Sequence, residues 1–210
     1  MTDQPDRPQL YLITPAAFEI DQFVPVLSAV LDAAPVACLR LALAGSDETR
    51  ISRAADALRE LAHARDIALV MESHIVLAER LGLDGVHLPR GTGGIRKLRA
   101  RLGGDFIIGA DCGDSRHEGM SAAEAGADYV SFAPAGETKL GAGAEARAGR
   151  ELFAWWSEMI EVPVVAEGAL SPELVGELAP VVDFIALGTE IWEAPDPLAA
   201  FRRLIAPLGY

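Results

Sequence analysis

Short, almost wholly apolar runs of β-type residues alternate along this chain with longer amphipathic segments. That alternation limits the fold more than any other feature. Strands are predicted at Leu10–Thr14, Val36–Ala42, Ile67–Met71, Gly85–Leu88, Phe106–Ala110, Tyr129–Ala133, Val162–Ala166 and Phe184–Leu187, each followed by a helix-like segment. The runs lack the polar alternation of a half-exposed sheet, so they read as parallel strands buried on both faces. Eight such units in 210 residues predict a single (β/α)8 barrel, at the small end of that class. The competing arrangement is an open doubly wound sheet. The first strand, however, lacks the Gly-x-Gly-x-x-Gly turn that usually follows it in that fold.

The helix boundaries carry their own signals. Asp47 is expected to cap a helix running to Ala64, in which Ile51, Ala54, Ala55, Leu58, Leu61 and Ala62 recur at helical spacing. Ser73 is expected to cap Ile75–Leu81, with Gly82 ending it. Ser171-Pro172 and Asp196-Pro197 both read as a cap followed by proline at the first helical position. Residues 1–9 read as a short disordered lead-in, charged and without the apolar centre of a secretory signal. Residues 10–210 read as one domain, in which the Gly141–Gly149 stretch is a long loop.

Composition excludes several classes of partner. A formal net charge of −13 repels a polyanion, which argues against nucleic acid. No apolar stretch reaches the ~18 residues of a membrane span. Two cysteines, Cys38 and Cys112, do not make a disulfide framework, and they read as buried, reduced thiols of a cytoplasmic protein.

In a barrel of this kind, chemistry sits past the C-terminal ends of the strands. After the seventh strand comes Glu167-Gly168-Ala169-Leu170, and after the eighth Gly188-Thr189-Glu190. Small residues there let backbone N–H groups approach an anion, and this corner often binds phosphate. Either glycine alone could simply permit a tight turn. Thr138 and Lys139 follow the sixth strand, where they could close on the same phosphate or face solvent. Arg40 lies in an apolar strand and shares a face with Cys38 and Ala42. Burial obliges it to find an anion, either a protein carboxylate or, as the favoured expectation, a ligand. Glu72, Asp111 and Glu167 stand at three strand ends as candidate general acids or bases. The alternative is that one of them neutralises Arg40. His87, inside the fourth strand, reads as a satisfied core histidine, and no histidine pair has metal-ligand spacing.

A family resemblance runs through most of the chain. It lies in Leu10-Tyr11-Leu12-Ile13-Thr14, Leu83-Asp84-Gly85-Val86-His87-Leu88, Ile107-Ile108-Gly109 and Ala125-Gly126-Ala127-Asp128-Tyr129-Val130. It continues in Val162-Pro163-Val164-Val165-Ala166 and Val182-Asp183-Phe184-Ile185-Ala186. On these stretches the sequence resembles thiamine phosphate synthase and its relative, the thiazole tautomerase. The resemblance implies a barrel that joins a pyrimidine diphosphate to a thiazole phosphate and releases pyrophosphate with magnesium. The family's strand-two motif Gln-x-Arg-Glu-Lys becomes Cys38-Leu39-Arg40-Leu41-Ala42, which keeps the arginine. Its Asn-Asp after strand three becomes Glu72-Ser73, and its Gly-Gln-Glu-Asp after strand four becomes Pro89-Arg90-Gly91-Thr92. After strand five a serine becomes Asp111, and the tautomerase's catalytic histidine becomes Gly113.

The phosphate end is better kept, through Thr138-Lys139, Gly168-Ala169 and Gly188-Thr189. The expectation is therefore a divergent barrel with a degraded magnesium–pyrophosphate site. Gly168, Gly188, Thr189, Thr138 and Lys139 would hold a small phosphorylated molecule, while Arg40 and Arg90 would hold a second anionic group. No cofactor is expected, unless Glu72 stands in as a magnesium ligand. Arg40→Ala is expected to abolish binding and leave folding nearly intact. The alternatives are a working synthase with a rebuilt metal site and a binding protein without turnover.

Overall fold

The computed structural model describes residues 7–91, 93–135 and 148–210. Eight strands form a closed parallel barrel in chain order. They are β1 Gln9–Ile13, β2 Val36–Leu41, β3 Ala68–Glu72, β4 Gly85–Leu88, β5 Ile107–Asp111, β6 Tyr129–Phe132, β7 Val164–Glu167 and β8 Phe184–Leu187. The helices are α1 Ile20–Leu31, α2 Glu48–His63, α3 Ile75–Arg80, α4 Ile95–Leu102, α5 Arg116–Glu124, α6 Arg150–Met159, α7 Pro172–Leu178, α8 Thr189–Trp192 and α9 Pro197–Ile205. Thr138, Lys139 and residues 141–147 of the expected long loop lie outside the described residues. No described helix is long and apolar enough to cross a membrane.

Strand parity separates two cores. Residues such as Leu39, Leu41, Val86 and Ile108 face outward and pack under the helices. Tyr11, Cys38, Val70, Tyr129, Val165 and Ala186 face inward and fill the barrel itself. Both cysteines are free and buried. Burial leads in pushing the Cys38 thiol up to about 12, against a lowering hydrogen bond with Tyr11 and the Arg40 charge, with Asp84 adding to the rise.

Three of the four cap residues named from sequence cap their helices. Asp47 accepts from the N–H groups of Thr49 and Arg50. Ser171 accepts from Leu174 and Asp196 from Ala199, each with proline in the first turn. Ser73 is the exception. It takes a left-handed conformation with φ 69°, and His74, without a side-chain cap bond, precedes α3. Backbone bonds from His74 to Glu72 and from Ile75 to Ser73 close this turn instead, so the hydroxyl is not needed there.

A repeated device ties the strands together at their N-terminal ends. Asp84, Asp128 and Asp183 each immediately precede an even-numbered strand. Their carboxylates accept from Leu69 N–H at 2.7 Å, Ile108 N–H at 2.6 Å and Val164 N–H at 2.8 Å, on the neighbouring odd strand. The backbone N–H of each aspartate bonds back to the carbonyl of that same residue. These reciprocal clasps set the register of three strand pairs. They also explain physically why aspartate stands before Gly85, Tyr129 and Phe184.

Candidate functional site

Glu72, Asp111 and Glu167 are the final residues of β3, β5 and β7 rather than the first residues beyond them. Each lies two residues past an inward-facing position, so period two turns all three carboxylates into the barrel mouth. Arg40 reaches the same place from β2. Its guanidinium binds Glu167 through Nη2 at 2.5 Å, and both residues are 6% exposed. Ser131 on β6 donates to the other Glu167 oxygen at 2.9 Å. Of the two partners expected for Arg40, the protein therefore supplies a carboxylate on one edge.

The Nε edge is different. Arg40 Nε lies 3.4 Å from Glu72 Oε2, yet it is a buried nitrogen without a hydrogen-bond partner among the described residues. Burial works against the guanidinium charge, but Glu167 and its other neighbours outweigh that and raise its pKa further. Beneath it lies a buried polar chain. The Tyr11 and Tyr129 hydroxyls are 2.9 Å apart, and the Tyr129 hydroxyl is 3.0 Å from His87 Nδ1. His87 is thus the partnered core histidine expected from sequence.

Glu72 and Asp111 are only partly buried, and both have raised carboxyl pKa values. For Glu72, desolvation leads, Arg40 opposes it, and the charges of Glu167 and Asp111 add to it. For Asp111, desolvation again leads. A hydrogen bond from Gly113 N–H opposes it, and Glu167 adds to it. The mouth therefore holds more carboxylate than cation. Asp111 also borders a recess of about 330 Å³ lined by Pro89, Gly91, Ile95 and Cys112. Arg90 stands at the rim with its charge already engaged, by Glu118 at 2.9 Å and Asp114 at 3.4 Å. Its guanidinium occupies the space a side chain at Gly113 would need.

At the β7–β8 corner the backbone turns through left-handed residues. Gly168 and Ala169 both have positive φ, 83° and 54°. Gly188 is buried and precedes the short α8, while Thr189 is exposed. Sequence reasoning missed the occupant of this corner. Glu190 accepts from Gly188 N–H at 2.9 Å and from Leu170 N–H at 3.0 Å. An acidic residue two positions after the glycine was the available signal. Among the described residues, no group of three or more His, Cys, Asp or Glu side chains is arranged to hold a metal ion.

This geometry can be set against known proteins. The family model described as thiamine monophosphate synthase matches residues 10–191. The chain belongs to that family. It is 41% identical over 205 residues to a thiamine-phosphate synthase of Rhodospirillum centenum, covering 94% of this chain and 97% of that one. A thiamine-phosphate synthase of Erythrobacter litoralis is 37% identical over 205 residues, covering 94% and 95%. Among solved structures, a thiamine phosphate pyrophosphorylase from Pyrococcus furiosus superposes with a TM-score of 0.79 over 96% of this chain and 95% of that one. At 24% identity this structural likeness speaks to the barrel fold. Family membership and the closed barrel agree with the resemblance and the architecture read from sequence.

Proposed function

We propose that the chain is a thiamine phosphate synthase-type transferase. It joins a pyrimidine diphosphate to a thiazole phosphate at the barrel mouth and releases pyrophosphate. Similarity along nearly the whole length of two synthases supports a working enzyme better than the degraded site expected from the missing family ligands. The structural observation that carries the reading is the cluster of Arg40, Glu72 and Asp111. Arg40 is fixed by Glu167, and its Nε–H, 3.4 Å from Glu72 and without a hydrogen bond among the described residues, would donate to a ligand oxygen. Glu167 serves as the counter-ion that orients it, with Ser131 holding the second oxygen.

The magnesium ion implied by the family fits this donor set in one specific way. Magnesium is commonly held by one or two carboxylates together with substrate phosphates, rather than by an all-protein cage. Glu72 and Asp111 are two partly open carboxylates whose pKa values are raised by burial and by neighbouring negative charge, and a cation relieves that repulsion. They are the residues that would hold it, in place of the family's aspartates. When bound, the ion would offset the charge developing on the leaving pyrophosphate.

A second reading, a phosphate-ligand binder without turnover, draws on one observation. Among the described residues, no group of three or more His, Cys, Asp or Glu side chains is placed to hold a metal ion.

Thermal denaturation with and without magnesium separates the two readings. The panel is thiazole phosphate, the pyrimidine diphosphate, thiamine phosphate, inorganic phosphate and pyrophosphate. A ligand at ~100 times its Kd stabilises the fold by about 2.7 kcal/mol, a shift of several degrees for a chain of this size. The synthase reading expects the diphosphate shift to need magnesium. Phosphate shifts indifferent to magnesium favour the binder, and no shift with any phosphate ends both readings.

A further inference from the structure

We propose that Glu190 is a built-in competitor for the ligand's phosphate, so that its displacement sets the affinity of the β7–β8 corner. This inference rests on the synthase reading together with the expectation from sequence that this corner, at Gly168, Gly188 and Thr189, holds the phosphate of a substrate.

The carboxylate spans two loops. One oxygen takes the Gly188 N–H that follows β8, and the other takes the Leu170 N–H that follows β7. Paired backbone N–H groups converging on one anion are what a phosphate oxygen would use. Among the described residues, no arginine, lysine or histidine forms an ion pair with Glu190. Its charge at this corner is therefore held by backbone dipoles alone.

Glu190 is only partly buried and follows an exposed residue, Thr189. Rotation about its side-chain bonds can carry the carboxylate into solvent without moving α8. A phosphate monoester brings more charge and more acceptor oxygens than a carboxylate, so it can displace Glu190. Until it does, the two N–H groups are taken and the like charges repel. Binding is weakened by the free energy of that exchange.

Calorimetric titration of inorganic phosphate into the wild-type protein, Glu190→Gln and Glu190→Ala tests the proposal, with melting curves to establish that each variant folds. Glutamine keeps one acceptor for the N–H pair and removes the charge. Alanine removes both. The proposal expects both variants to bind phosphate at least tenfold more tightly than wild type. Equal or weaker binding by folded variants overturns it and identifies Glu190 as a structural link between the loops. If all three proteins fail to bind phosphate, the corner site falls along with the proposal. The synthase reading is judged separately, by whether wild type releases pyrophosphate from its two substrates.

Discussion

Arg40 and Glu167 form a buried ion pair whose second carboxylate oxygen is occupied by Ser131. Removing one partner leaves the other charged and without water, which typically costs about 3–5 kcal/mol. Arg40→Ala is therefore expected to lower the stability measured by urea denaturation by about that amount. This departs from the near-intact folding anticipated when a ligand was the favoured partner for Arg40. A paired Arg40→Met, Glu167→Met variant should recover most of the loss, and a double variant no more stable than Arg40→Ala would contradict the pairing.

His87 gives a pH signature. Burial, and then the nearby Arg40 charge, hold its imidazole well below the usual value of 6.5. The unfolded chain takes up a proton there that the folded one refuses. The stability His87 contributes is present above about pH 6.5 and is lost as pH falls toward the folded value. Glu72 and Asp111, raised in the fold, contribute with the opposite sign: their share is present at acid pH and fades as pH rises through their raised values. Comparing melting temperatures of wild type and His87→Asn from pH 7.5 to 5 isolates the histidine, because both proteins keep the carboxylates. The variant should lose less stability on acidification, and parallel curves would show that His87 does not govern the slope.

The elements were legible because parallel strands buried on both faces leave continuous apolar runs, and because Asp47, Ser171 and Asp196 cap helices by local hydrogen bonds. What local pattern hid was where strands end. Glu72, Asp111 and Glu167 were legible as strand-end carboxylates able to point into the mouth, but not as the last residues of the strands themselves, where strand parity turns them inward. Ser73 failed as a cap because its turn closes through backbone bonds. The aspartate clasps were visible as residues of a family resemblance, but not as bonds, since their partners lie 15 to 20 residues away. Asp128→Ala would strip Ile108 N–H of its acceptor and Arg99 of its ion partner. An unsatisfied buried N–H costs about 1–3 kcal/mol, and chemical denaturation should show a loss in that range. Gly109→Ala makes a second test of the barrel interior. A Cβ there would sit 2.0 Å from the Tyr129 ring, forcing the ring out of its bonds to Tyr11 and His87. A loss of about 1–3 kcal/mol is expected, and a neutral effect would mean that the inner layer is looser than its packing implies.

At the scale of the whole molecule, a chain with a formal net charge of −13 gathers Arg40, Glu72, Asp111 and Glu167 at one end of a barrel. They meet there because period two turns these positions of β2, β3, β5 and β7 inward. Family membership and this cluster are what the proposed synthase reading rests on, in which Glu72 and Asp111 would hold the magnesium ion. The most direct test is the release of pyrophosphate from the pyrimidine diphosphate and thiazole phosphate, followed with and without magnesium, for wild type and for Glu72→Gln combined with Asp111→Asn. Magnesium-dependent release by wild type, falling at least a hundredfold in the folded double variant, is the predicted result. Release that survives in the double variant, or no release by wild type with either substrate pairing saturating, would contradict the account.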